Sequence, residues 1–153
     1  MPGLLLLLLA MYSTVELATR IISFRADLDV MVVRWHTHAS LEGVQADYAH
    51  MLELAKAYQT SDWLLDVRRR DKVSAELSAW ASGVYYQQAA AELAPRRLRI
   101  AVLNSPALTE IYRTDEEHKK HVEYVLDPAR PFDMRVFDDE GEAMRWLSPV
   151  YLS

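Results

Sequence analysis

The chain of 153 residues contains no cysteine. A disulfide framework, a thiolate metal site and a redox dithiol are therefore excluded. Glycine is scarce at four residues, too few for the glycine-rich loops whose backbone cradles phosphates. No G-x-S-x-G segment is present, so the strained nucleophile elbow of many hydrolases is missing. Basic charge is not in excess either. Seventeen Lys and Arg against 22 Asp and Glu leave a net charge of -5, which argues against a general nucleic-acid binder. The one long apolar run, Leu4 to Leu9 extended by Ala10, Met11 and Tyr12, covers nine residues, where a membrane-spanning helix needs about 20. No Lys or Arg precedes it, the first basic residue being Arg20, so the positive start of a secretory signal is lacking. A cytoplasmic protein without stable membrane insertion is the expectation. An exposed leucine patch is costly to solvate and marks an interface, which makes residues 1–12 an apolar extension suited to a homodimer contact.

What is present is a chain of 51% hydrophobic and 25% charged residues, a balance that folds rather than staying disordered. No repeat or Gly/Ser linker divides it, so residues 13–153 read as one domain. Residues 14 to 24 and 30 to 36 are rich in Val, Ile, Phe and Trp and read as strands. The short polar link Arg25 to Asp29 makes them an antiparallel hairpin. Val30 to Val33 lack alternation, which predicts burial on both faces. Ser40 caps a helix whose stripe is Leu41, Val44, Tyr48, Met51, Ala55 and Tyr58. Trp63 to Val67 is a short buried strand. Ser74 opens a second helix with a stripe of Leu77, Trp80, Ala81, Val84 and Gln88, ended by Pro95. Leu98 to Leu103 is the next strand. A third helical region lies within residues 107–126, with Thr114 capping its charged second part. Met134 to Phe137 form a last strand and Glu140 to Leu147 a last helix. The order β-β-α-β-α-β-α-β-α predicts an α/β fold with a mostly parallel five-stranded sheet led in by an antiparallel hairpin.

Three segments carry a family resemblance. Trp63-Leu64-Leu65-Asp66-Val67-Arg68 resembles an apolar strand ending in Asp. Arg99 to Leu103 resembles the strand that follows, and Phe137-Asp138-Asp139-Glu140-Gly141-Glu142-Ala143-Met144-Arg145-Trp146-Leu147 resembles a closing strand, acidic turn and helix. Together they are similar to the SpoIIAA-like group related to STAS domains, over roughly residues 14–148. The resemblance implies a regulatory or ligand-binding module without catalysis. In the anti-sigma antagonist branch, an Asp-Ser-Ser/Thr-Gly motif opens the second helix with a phosphorylated Ser. Ser74 stands near that place in Val73-Ser74-Ala75-Glu76, without the Asp or the Gly.

Ligands of open α/β sheets bind beyond the carboxyl ends of the strands. This chain places His36, His38, Arg68, Arg69, Arg70, Asp71, Asn104, Ser105, Asp138 and Asp139 there. The candidate contact residues are Arg68, Arg69, Arg70 and Ser74, with Asn104 and Ser105 across the edge. Arginine forks beside a helix start suit an anion or an acidic partner. The competing reading is a solvated loop that pairs with Asp138, Asp139 and Glu140. Arg96, Arg97 and Arg99 precede their strand and belong to the opposite end of the sheet. His36 with His38, and His118 with His121, have spacings that permit a shared metal, but a strand-end polar pair and an exposed charged helix face account for them, so no metal or cofactor is expected. Trp63, Trp80 and Trp146 read as core, whereas Tyr85, Tyr86 and Tyr124 could line a pocket. The leading expectation is a non-enzymatic regulatory or ligand-binding module acting through a protein partner or a small anionic or apolar ligand. The rivals are a small-molecule or lipid carrier with an apolar pocket, and a hydrolase using Ser105 or Ser74 with a strand-end His.

Overall fold

The computed structural model describes residues 14–16, 20–36, 40–70 and 74–148. The leucine run, His38 and Asp71 lie outside them. The strands are β1 (Thr14–Glu16), β2 (Arg20–Arg25), β3 (Val30–Trp35), β4 (Asp62–Asp66), β5 (Leu98–Leu103) and β6 (Phe132–Phe137). They form one sheet in chain order. β1 and β2 pair antiparallel, as do β2 and β3, and all later neighbours pair parallel. The α/β class, the hairpin and the parallel body are as the sequence implies. The segment read as one strand over residues 14–24 is instead two antiparallel strands, with Thr14 opposite Ser23. At the hairpin turn the Leu28 amide donates to the Arg25 carbonyl at 3.0 Å. Asp29 there takes φ 56°, the left-handed conformation that Asp tolerates better than most residues.

The helices are α1 (Leu41–Tyr58), α2 (Ala75–Trp80), α3 (Tyr86–Leu93), α4 (Pro106–Thr114), α5 (Glu116–Leu126) and α6 (Glu140–Leu147). α2 runs into α3 through a π-helical turn, Ala81–Tyr85. The Ser40 hydroxyl accepts from the Gly43 amide at 3.1 Å and starts α1, and Gln59, at φ 55°, ends it. The helical region after β5 breaks at Asp115, one residue beyond the expected cap Thr114. The Asp115 carboxylate accepts from the amides of Glu117 and His118 at 3.0 and 3.2 Å. One carboxylate oxygen thus satisfies two orphan amides of α5, while the Thr114 hydroxyl donates to the Glu110 carbonyl at 2.8 Å.

The parallel connections lay α1 to α5 on one face of the sheet, as crossovers of constant hand between sequential strands require. Their core includes Met31, Val33, Trp63, Leu65 and Ile100, packed against Val44, Met51, Leu77, Ala89 and Val125. Among the described residues the other face is covered by α6 alone, whose Ala143, Met144 and Leu147 pack on Val30, Val32, Leu64, Ala101 and Leu103. β3 thus lies between two cores, and Val30, Met31, Val32 and Val33 are all buried. No helix among the described residues is long and apolar enough to cross a membrane.

Candidate functional site

The pleat sends alternate side chains to the helix-rich face. At the carboxyl ends of the strands these are Leu65 within β4 and Val67 after it, Val102 in β5 and Asn104 just past it, and Met134 and Val136 on β6. They floor a cleft of about 100 Å³. The roof comes from Leu77, Ser78, Ala81, Ser82 and Tyr86 of the α2–π–α3 helix. Tyr112 of α4 and His121, Val122 and Val125 of α5 close one side, with Tyr48 and Arg70 on the other walls. The π turn is what brings Ala81 and Ser82 inward together, both being buried. π turns of this kind recur at functional sites.

Three consecutive arginines part company here. Arg68 crosses to the opposite face, where its guanidinium donates to Asp66 from Nε at 3.0 Å and Nη2 at 2.9 Å. Arg34 donates to the same carboxylate at 2.8 Å and to Glu140 at 2.6 Å. Burial raises the Asp66 pKa, but the bonds from Arg68, its backbone amide and Arg34 outweigh this and hold it below the ordinary value. Arg69 stands exposed, without an ion pair among the described residues. Arg70 folds inward, its amide donating to the Val67 carbonyl at 3.1 Å. It is 7% exposed, and its guanidinium lies over the Trp35 ring at 5.5 Å.

Asn104 is 2% exposed, and neither its amide nitrogen nor its carbonyl oxygen has a hydrogen-bond partner. Its backbone is anchored, the amide donating to the Phe137 carbonyl at 3.0 Å, so the side chain is held at the cleft. Burial pushes the Tyr86 hydroxyl well up and the Tyr112 hydroxyl up, and Arg70 opposes both. Arg70 and both phenols line the same cleft. Of the other tyrosines considered for a pocket, Tyr85 donates to the Tyr48 carbonyl at 2.7 Å, and the Tyr124 oxygen accepts from Gln87 at 3.0 Å.

Of the six candidate residues, Arg70 and Asn104 line the cleft and Arg68 does not. Ser74 and Ser105 are helix caps, their hydroxyls accepting from the amides of Leu77 at 3.1 Å and Leu108 at 3.2 Å. The α5 histidines are not on an exposed charged face. His118 is buried, with Nδ1 3.4 Å from the Ser78 hydroxyl and its ring edge-on to Tyr112, and His121 lines the cleft. Helix α5 lies against α2, so its Val122, Val125, His118 and His121 turn inward together. The 3-4 spacing of those four was the available signal. Among the described residues no group of three or more His, Asp or Glu could hold a metal ion. Arg96, Arg97 and Arg99 occupy the amino end: Arg97 pairs with Asp133 at 2.9 Å, and Arg99 donates to the carbonyls of Trp146 and Leu147.

A family model described as SpoIIAA-like matches residues 30–148, from the start of β3 to just past α6. The chain belongs to the SpoIIAA-like family. No curated protein and no solved structure matches it. In this SpoIIAA-like domain the cleft lies on the helix-rich side of the sheet, whereas the Asp66 network belongs to the side that α6 covers.

Proposed function

We propose that this SpoIIAA-like domain is a non-enzymatic, regulatory binding module that takes a small molecule into the cleft above β4, β5 and β6. One observation carries the reading: the Asn104 amide is buried on an apolar wall with both polar atoms unpartnered. Leaving such a group unsatisfied costs about 1–3 kcal/mol, and a ligand removes that cost. Binding is favoured over catalysis by the state of the hydroxyls. Ser74 and Ser105 are occupied as caps. Ser78 meets His118 at 3.4 Å, at the weak end of hydrogen bonding, and no carboxylate among the described residues orients that ring.

A thermal-shift screen of small organic compounds tests the reading, run on the full chain and on a cleft-filling Val102→Phe variant. Stabilisation of the parent that is absent in the folded variant is expected. Shifts unchanged by Val102→Phe, or no stabilising compound at all, would refute it. A second reading rests on Arg69, exposed at the rim and unpaired among the described residues: a protein partner docks there. Arg69→Glu then abolishes partner capture from native extract while ligand stabilisation survives.

A further inference from the structure

Resting on the cleft reading, we propose that its occupant is a short monocarboxylate, with the carboxylate held by Arg70 and Asn104 and an apolar body lying on Leu65, Val102 and Met134. The charge inventory decides the class. Among the described residues no Asp or Glu lines the cleft, and Arg70 is its only arginine or lysine. Arg70 has no carboxylate partner among the described residues, although it is 7% exposed. A guanidinium on a largely buried residue is stabilised by a nearby anion. Arg20, the other buried arginine among the described residues, shows the usual solution, with the Asp47 carboxylate 2.8 Å away. Trp35 offers Arg70 a ring face, which is a weaker substitute for a counter-ion. An anion entering the cleft would give this guanidinium the charge partner that no described residue provides.

The remaining groups narrow the anion. The Asn104 amide and the hydroxyls of Tyr86 and Tyr112 are donors, suited to carboxylate oxygens. One positive charge balances one carboxylate, whereas a phosphate dianion would be left undercompensated. The cleft, at about 100 Å³, is smaller than the ~150 Å³ apolar cavity that admits benzene, so the apolar body is a few carbons long.

The test uses the full chain labelled with nitrogen-15, titrated at matched ionic strength with sodium butyrate, butyramide and inorganic phosphate. Butyrate is expected to shift the Asn104 side-chain amide resonance saturably and to bind at least about tenfold tighter than butyramide, as a charge-assisted bond implies. Arg70→Gln removes that preference and leaves butyramide within about twofold. Asn104→Asp supplies the counter-ion internally: it raises the unfolding temperature and abolishes butyrate binding, which keeps the test decisive if Arg70→Gln does not fold. Equal binding of butyramide and butyrate overturns the carboxylate assignment and leaves the cleft as a binding site. Preference for phosphate overturns it too. Binding of none of the three, with Asn104→Asp no more stable than the parent, removes both the carboxylate and the cleft reading.

Discussion

Asp66 ends β4 with its side chain 9% exposed and accepts from Arg34, from the Arg68 side chain and from the Arg68 amide. These bonds favour the charged form, so the folded chain holds Asp66 below the ordinary ~3.9 of an unfolded aspartate. A proton therefore binds the unfolded chain first. The stabilisation is complete above about pH 4 and fades as pH falls through the lower folded value. Asp66→Asn is expected to cost about 2 kcal/mol at neutral pH, the scale of hydrogen bonds to a charged group. It should also flatten the acid limb of stability. Urea midpoints measured from neutral pH down into acid check this, and an unchanged acid slope would contradict it. The same residues mark the limit of what the sequence discloses at this scale. Arg68, Arg69 and Arg70 are three identical neighbours, and only the turn that closes with Arg70 on Val67 sends one across the sheet, one to solvent and one into the cleft. Ser74 was legible as a helix cap and is one, whereas the hydroxyl of Ser105, read as part of a turn ending a strand, also accepts from an amide of the following helix. Replacing either with Ala is expected to cost about 1 kcal/mol in denaturant unfolding, with small-ligand stabilisation retained.

At the scale of elements, patterns that depend only on near neighbours were readable and those that depend on register across an irregularity were not. The stripe over α1 holds, with Val44, Tyr48, Met51 and Ala55 buried, because nothing interrupts its 3.6-residue period. The stripe expected over Leu77, Trp80, Ala81, Val84 and Gln88 fails after Ala81. Val84 is 52% exposed, and the buried residues become Tyr85, Tyr86, Ala89, Ala90 and Leu93. The π turn takes up one extra residue, so the inward face slips by one along the chain. That slip also turns Ser82 toward the cleft, a consequence invisible to a regular helical wheel. Gly83 sits within the turn, without a positive φ, and a methyl group added there would meet nothing within 4 Å. Gly83→Ala is accordingly expected to stabilise the chain by about 0.5–1 kcal/mol, since glycine in a helix interior is costly and the site is open. Chemical denaturation measures it. A loss of stability would mean that the turn needs backbone freedom that alanine lacks.

For the molecule as a whole, the alternation of strands and helices disclosed a covered parallel sheet, but not how unequally its two faces are covered. Among the described residues, sequential strand order with crossovers of one hand puts α1 to α5 on one side, and α6 shelters the other. Leu147 of α6 is 1% exposed in the smaller core, and the sheet stands between it and the cleft. The first turn of α6 carries Glu140, which receives Arg34 at 2.6 Å, so α6 is tied to β3 as well as packed on β5. Truncating Leu147 removes buried methyl groups and leaves a cavity, at a cost of about 2–5 kcal/mol. Residues without shared partners contribute additively, and none of the cleft residues belongs to the α6 cluster. Leu147→Ala is therefore expected to lower the unfolding midpoint sharply while the folded fraction binds butyrate with affinity within about twofold of the parent. Urea titration with and without ligand separates the two effects. A folded Leu147→Ala protein that has lost its ligand would show that the sheet transmits strain from one core to the other, and that the cleft's shape depends on the lone helix behind it.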